Sequence, residues 1–410
     1  MKRLRFLLLM IISFLVITLS ACSSSGGGSS PSSTAVYPRF AYVANFSDNT
    51  ISIYTVDAAT GQLRHNGYVA TGNEPWSVTV DPSGKFAYAA NYGDGTISVY
   101  TINQTTGALT AGTAVAAGTE PVSVTVDPSG KFAYAANEGG NISVYTINQT
   151  TGALTAGTAV PAGSFPVSVT VDPSGKFAYA ANEHDNTISV YTINQTTGAL
   201  TAVGTPVAAG TDPISVKVDP SGKFAYAANY DDNTISVYTI NQTTGALTAV
   251  GTPVATGSEP YSVTVDPSGK FAYAANYDSS GTISVYTINQ TTGALTAGTA
   301  VPAGSYPYSV VVDPSGKFAY AANYGDNTIS VYTIDQTTGA LTAVGTAVAA
   351  GTGPTSVTVD PSGKFAYAAN YGSNTISVYT IDQTTGALTA GTAVAAGTNP
   401  YSVVATGAIQ

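Results

Sequence analysis

Residues 74–91 read Glu-Pro-Trp-Ser-Val-Thr-Val-Asp-Pro-Ser-Gly-Lys-Phe-Ala-Tyr-Ala-Ala-Asn. Residues 92–119 continue Tyr-Gly-Asp-Gly-Thr-Ile-Ser-Val-Tyr-Thr-Ile-Asn-Gln-Thr-Thr-Gly-Ala-Leu-Thr-Ala-Gly-Thr-Ala-Val-Ala-Ala-Gly-Thr. Four short runs lie between turn signals. Strand a, Ser77 to Val80, alternates Val78 and Val80 with Ser77 and Thr79. It ends in Asp81-Pro82-Ser83-Gly84, where proline presets φ and glycine accepts the positive φ that follows. Strand b is Phe86 to Ala90, strand c is Thr96 to Ile102, and strand d is Leu109 to Val115. Gly107 suits the left-handed position of the c–d hairpin. The apolar period is two throughout, so no helix is predicted.

Outward from this stretch the chain repeats it. Ala-Tyr-x-Ala-Asn begins at Ala41, Ala87, Ala133, Ala178, Ala225, Ala272, Ala319 and Ala366. Seven copies follow Asp-Pro-Ser-Gly-Lys, whose Asp stands at 81, 127, 172, 219, 266, 313 and 360. The first copy has no strand a of its own, and Pro400-Tyr401-Ser402-Val403-Val404 is a strand a with no b, c or d after it. The chain therefore begins with b–c–d and ends with a. A linear stack would leave both ends ragged, whereas a ring lets the last strand complete the first sheet. Repeats of this length with four strands each predict a β-propeller. The expected fold is all-β: eight four-stranded antiparallel blades over residues 37–410, closed by Pro400 to Thr406 pairing beside Phe40 to Asn45. The alternative is seven blades with one repeat extruded. Bulky Phe86 and Tyr88 on one side of strand b, with small Ala87 and Ala89 on the other, let blades stack and bury both faces. That accounts for a charged fraction of only 9%.

The N-terminus has a different composition. Lys2, Arg3 and Arg5 precede an apolar run from Phe6 to Leu19, too short for a mature membrane helix but suited to a secretory signal. Leu19-Ser20-Ala21-Cys22 resembles the bacterial lipoprotein cleavage box. Residues 1–21 are thus expected to be a signal peptide, and Cys22 the lipidated residue that ties the protein to a membrane. Residues 22–36 would be a Ser/Gly-rich tether, and the location the bacterial cell envelope, at an outer membrane or cell surface. Cys22 is the one cysteine, so no intramolecular disulfide can form. Loss of residues 1–21 takes the net charge from −10 to −13. Of the eight lysines that remain after that loss, seven sit in the Asp-Pro-Ser-Gly-Lys hairpins beside an aspartate. No basic groove results, and nucleic acid is excluded as a partner.

In a propeller the b–c and d–a connections share one face and the a–b and c–d hairpins the other. The hairpin face is nearly identical from blade to blade, while the b–c/d–a face carries the differences. Variable loops on a rigid scaffold are where recognition is built. The candidate ligand-binding residues are Trp76, Tyr261, Tyr306, Tyr308 and Tyr401 beside the d–a prolines, and Tyr230, Asp231, Asp232 and His184 in the b–c loops. Aromatic rings can stack on a sugar or anchor a protein, and carboxylates can take hydroxyls. The bland alternative is that Asp and Asn merely suit tight turns. No loop has an EF-hand pattern, so no metal is expected, and no cofactor. His65 and His184 fall in different repeats, and no nucleophile elbow, zinc-binding helix motif or P-loop is present. The recurrent Asn-Gln-Thr triplets read as turn chemistry rather than glycosylation sites. A closed ring is expected to be monomeric.

The repeat Pro-x-Ser-Val-x-Val-Asp-Pro-Ser-Gly-Lys-Phe-Ala-Tyr-Ala-Ala-Asn, with Thr-Ile-Ser-Val-Tyr-Thr-Ile and Thr-Thr-Gly-Ala-Leu, resembles the lactonase-family propellers over residues 37–410. These include the 6-phosphogluconolactonase type and the related YVTN-repeat surface proteins. The resemblance implies hydrolysis of sugar lactones by Arg, His and Glu at a central opening. Only Arg39, Arg64, His65 and His184 supply Arg or His here, and none recurs or clusters. An acidic face also disfavours a phosphorylated substrate. The expected function is therefore an envelope propeller that binds a protein or glycan, with a lactonase-like hydrolase as the alternative.

Overall fold

The computed structural model describes residues 39–407, which fold as eight blades in a closed ring. The signal-like segment 1–21, Cys22 and the tether to residue 36 lie outside the described residues. Blade 2 shows the pattern: a is Pro75–Val80, b is Phe86–Asn91, and c is Thr96–Ile102. Its d strand is two pieces, Leu109–Ala111 and Val115–Ala116, both paired with c. The continuous d strand expected from the sequence is thus interrupted. Three residues, 112–114, face two on strand c, and the Gly112 N–H bonds the Val99 carbonyl at 2.8 Å to close the bulge. Blade 1 keeps an unbroken d strand, Leu63–Ala70.

Ring closure is as the offset of the repeat predicts. Pro400–Thr406 pairs antiparallel with Arg39–Asn45, in a register running from Phe40 opposite Thr406 to Asn45 opposite Pro400. The eight a strands contact one another in sequence around the axis, and the last touches the first, so strand a is innermost. The ring has eight blades, and no repeat is extruded.

Each blade face is buried as the size alternation requires. Phe86, Tyr88 and Ala90 pack with Ile97 and Val99 against the Ala133, Ala135 and Tyr145 side of blade 3. Ala87, Ala89 and Tyr100 pack against Phe40, Tyr42 and Ile53 of blade 1. Two tyrosine hydroxyls pin every interface. Tyr88 donates to the Gly152 carbonyl in the next blade's c–d hairpin at 3.0 Å, and Tyr100 donates to Ala70 O in the preceding d strand at 2.8 Å. The same pair closes the ring: Tyr367 donates to Gly61 O at 3.0 Å and Tyr54 to Ala395 O at 2.7 Å. Gly152, at φ 71°, lies so close to the Phe86 ring that a Cβ would meet it at 2.3 Å. Only glycine fits there on both counts.

The hairpin face is held by buried aspartates. Asp81 accepts from the backbone N–H of Lys85 and Phe86 with one oxygen, at 2.8 and 2.7 Å, and from Ser83 with the other. The lysine that follows is left to solvent, so this face offers one repeated group. At the seam Asp360 keeps these bonds to Ser362, Lys364 and Phe365, and Arg39 of blade 1 also pairs with it at 3.0 Å, over the Phe365 ring. In the c–d hairpin the first Asn-Gln-Thr asparagine folds back, its Oδ1 accepting from Thr105 and Thr106 N–H.

Deleting residues 400–410 is expected to lower the melting temperature and promote association, since it bares the edge of Arg39–Asn45. Loss of the burial of Tyr401 and Val403 alone is worth roughly 1.5–3 kcal/mol each. A truncated protein that melts with the wild type and stays monomeric on sizing would contradict the closure.

Candidate functional site: the axial mouth on the variable face

Two rings of side chains surround the axis on the b–c/d–a face. The inner ring follows the d–a proline: Trp76, Val122, Val167, Ile214, Tyr261, Tyr308, Thr355 and Tyr401. The outer ring follows the last residue of strand b: Phe46, Tyr92, Glu138, Glu183, Tyr230, Tyr277, Tyr324 and Tyr371. Between them lies a cavity of about 270 Å³ lined by Trp76, Val122, Glu138, Val167, Glu183, Ile214, Tyr261, Tyr308 and Tyr401. Shallower clefts of about 580 and 470 Å³ lie farther out, around Tyr92–Glu120 and Phe46–Glu74. They are lined by the b–c and d–a connections, with Glu74, Tyr92, Asp94 and Glu120 in the first and Phe46 and Glu74 in the second, and neither includes an inner-ring residue.

The loops are rigid for a local reason. The b-strand asparagine is fully buried, and Asn91 Nδ2 donates to Thr96 Oγ1 and Ser98 Oγ, both at 2.9 Å. The residue before the d–a proline has a left-handed backbone in all eight blades: Gly353, and also Glu74, Glu120, Phe165, Asp212, Glu259, Tyr306 and Asn399 at φ 52–58°. Such a conformation costs a side-chain-bearing residue roughly 1–2 kcal/mol. It is imposed from both sides. Glu259 N–H donates to Asn233 Oδ1 at 2.6 Å while its carbonyl accepts from Tyr277 N–H at 2.8 Å.

The cavity has two unlike halves. Trp76 and Tyr401 rings lie 4.8 Å apart, with Phe46 at 5.6 Å and Tyr92 at 5.4 Å from Trp76. Tyr261 and Tyr308 rings lie 4.1 Å apart. Their hydroxyls form a chain, Tyr261 to Tyr308 at 2.6 Å and Tyr308 to Tyr401. Three hydroxyls share two bonds, so one O–H proton remains free to donate to a ligand. Burial pushes the Tyr308 and Tyr401 pKa values far up and keeps both phenols neutral. Opposite them Val122, Val167 and Ile214 form an aliphatic wall under Glu138 and Glu183. Burial raises the pKa of both carboxyls, and neighbouring acids push the same way. Glu138 accepts from the Tyr92 hydroxyl at 3.3 Å. That contact and the nearby acids push Tyr92, already raised mainly by desolvation, up to about 12. His184 opposes the shift on Glu183.

Of the residues singled out from sequence, Trp76, Tyr261, Tyr308 and Tyr401 meet in the cavity. Tyr306 stands outside it, exposed on the rim, 5.1 Å from the Tyr277 ring. Tyr230 supports the inner ring, edge-on to Tyr261 at 6.1 Å, and donates to Glu259 at 2.9 Å. His184 stacks on Phe165 at 4.1 Å. His65 lies between Tyr54 and Tyr68 on the outer strand d of blade 1. Asp231 faces Asp212, whose pKa is raised by burial and by that neighbour. Asp232 accepts from Thr211 N–H and Oγ1, both at 2.7 Å, and so staples two loops. Asp48, Asp94, Asp185 and Asp326 hold the equivalent backbone N–H in their blades. Among the described residues no group of three or more His, Cys, Asp or Glu is placed to hold a metal ion.

Sequence reasoning missed Glu138, Glu183 and Lys217. The two glutamates occupy a position where the other six blades carry Phe or Tyr. Among the described residues Lys217 is the one lysine outside the hairpins, on the innermost strand of blade 5. Superposing the repeats residue by residue would have exposed all three.

A closed β-propeller with an asymmetric polar and aromatic axial mouth is the class this geometry defines. The family model for the lactonase, 7-bladed beta-propeller, matches residues 18–126, 116–217, 210–312 and 297–405, and the chain belongs to that family, with eight blades here. Among solved structures it is similar to a candidate 6-phosphogluconolactonase from Bacteroides fragilis, at 24% identity and TM-score 0.64 over 80% of this chain and 98% of that one. It is also similar to the periplasmic gluconolactonase PpgL of Pseudomonas aeruginosa, at 18% identity and TM-score 0.64 over 91% and 100%. The dihydro-heme d1 dehydrogenase NirN matches at 14% identity and TM-score 0.65 over 89% and 74%. These likenesses are of fold. A comparison with curated proteins finds no match.

Replacing Glu183 by Gln tests the electrostatics of the mouth. A raised folded-state pKa means that the folded protein holds this proton more tightly than the unfolded chain does. The stabilisation is then present below the ordinary glutamate pKa and lost as pH rises through the raised value. Glu183→Gln is expected to raise the melting temperature near neutral pH and to have no such effect in acid. A melting difference that does not change with pH would contradict this.

Proposed function

We propose that the chain is a lactonase-family hydrolase acting on a neutral sugar lactone at the axial mouth. The observation that carries the reading is the joining, in one cavity, of a desolvated carboxyl whose side chain has no hydrogen bond among the described residues, Glu183, and a tyrosine hydroxyl chain with a proton to donate. Glu183 as carboxylate takes a proton from water, and the hydroxide equivalent attacks the lactone carbonyl. The free O–H of the Tyr261–Tyr308–Tyr401 chain donates to the developing oxyanion. The ring C–O bond then breaks, and the leaving alkoxide takes the proton from Glu183, giving one hydroxy acid from lactone and water. Trp76 gives a sugar ring an aromatic face to stack on. Glu138 and Glu183 disfavour a phosphorylated substrate by charge.

The belt of rings around Trp76 and Tyr401 favours a second reading, capture of a neutral glycan or of a protein side chain at the same mouth without turnover. The leader sequence supports a further proposal, that lipid on Cys22 holds the propeller at the bacterial cell envelope.

The expected result is hydrolysis of glucono-δ-lactone faster than of its 6-phospho derivative. Glu183→Gln should lower kcat by about 10²-fold or more, the usual scale for a general base, with kcat falling as pH drops through the raised Glu183 pKa. Trp76→Ala should chiefly raise KM. Absence of turnover with both lactones would sink the hydrolytic reading, and saturable binding of the neutral sugar without turnover would favour the second. In cells fed radiolabelled palmitate, label is expected on the wild type and lost in Cys22→Ser; equal labelling of the two would refute the anchor.

A further inference from the structure

The eight a strands are in one register around the axis. The residue opposite the b-strand tyrosine is Thr79, Thr125, Thr170, Thr264 and Thr358 in five blades, and Val311 and Val404 in two. In blade 5 it is Lys217, opposite Tyr226. These threonines and valines are half-buried, whereas the Lys217 side chain is exposed to water. Yet its strand is innermost, with the next blade's strand on either side, and desolvation by the surrounding protein depresses its pKa. A water-accessible side chain on the innermost strand, at the level where the other blades carry threonine or valine, borders the axial channel. Ile214, three residues earlier on the strand, lines the mouth, so the amine's attachment point is about 10 Å deeper.

Lys217 forms no ion pair among the described residues. The nearest carboxylate in sequence, Asp219, is occupied by Lys223, Phe224 and Ser221 in its own hairpin. An amine held without a counter-charge in an enclosed space is costly, and the repeat offers threonine at this position as a neutral solution. We propose that Lys217 makes the axial channel a binding site for a small oxyanion of carboxylate or phosphate type. The threonine hydroxyls of the same level are the hydrogen-bond donors nearest in register. The site does not depend on the hydrolytic reading. If that reading holds, a carboxylate product is repelled by Glu138 and Glu183 and drawn inward to Lys217.

The test uses Lys217→Thr, which restores the residue of five other blades and so carries little folding risk. Melting of wild type and variant is followed at constant ionic strength in chloride, in sodium gluconate and in sodium phosphate. Without oxyanion the variant is expected to melt higher than the wild type. Added oxyanion should raise the wild-type melting temperature saturably and leave the variant unmoved. A response to gluconate alone would identify an organic carboxylate, and an equal response to phosphate a general oxyanion site. Equal stabilisation of both proteins, or of neither, would overturn the proposal. Because no turnover is measured, a null lactonase assay leaves this result standing.

Discussion

The contact on which the rest depends is that between one blade's Phe and Tyr and the next blade's c–d hairpin. Phe86 lies on Gly152, and the Tyr88 hydroxyl reaches the carbonyl of the same glycine. The pair does two things at once. It fills the groove between blades with aromatic surface, and it satisfies a buried hairpin carbonyl that would otherwise be costly. Because a Cβ on the glycine would enter the ring, and because its φ is positive, the hairpin admits no other residue. The same constraint acts at all eight interfaces, including Phe365 on Gly61 across the seam. A ring can close only if every interface is nearly the same, which gives a physical reason for repeats this similar.

That constraint also sorts the variable face. Much of its acid and amide content serves the connections between blades. Asp232 ties down Thr211, and Asn233 caps Glu259. Such residues vary little in role even where they vary in identity. The inner ring is different. Trp76, Ile214 and Tyr261 follow prolines whose backbone is already fixed, so their side chains are free to differ without disturbing the ladder. The site is therefore made of substitutions on positions that the fold does not need.

The fold was legible because its signals are redundant. Alternation, hairpin glycines and the b–c–d start with an a finish each point to a closed ring. The interruption of strand d was less visible: Leu109 to Val115 alternates adequately, and only the pairing count on strand c shows the extra residue. The site was half legible. Aromatic residues beside prolines stand out, so Trp76, Tyr308 and Tyr401 were found. Glu138 and Glu183 look like ordinary loop acids, and Asp232 looks like a better ligand than either. What separates them is direction, since Glu183 points to the axis while Asp232 points to a neighbouring backbone. One-dimensional spacing carries no such information. Lys217 was hidden by composition, as one lysine among nine.

A propeller of near-identical blades surrounds its axis with near-identical groups, and a symmetric ring binds an asymmetric ligand poorly. Asymmetry has to come from departures, and here they are grouped rather than scattered. Blades 3 to 5 supply Val122, Val167 and Ile214 with Glu138, Glu183 and Lys217, while the rings are on the other side of the axis. The mouth consequently has one wall of aromatic faces and hydroxyls and one of aliphatic surface topped by carboxyls. Below it, the charge changes sign along the axis. A small molecule with a flat face and a hydroxyl-bearing edge can satisfy both walls in one orientation only. Tyr401, which belongs to the hydroxyl chain, arrives on the strand that closes the ring, so the mouth is complete only when the propeller is.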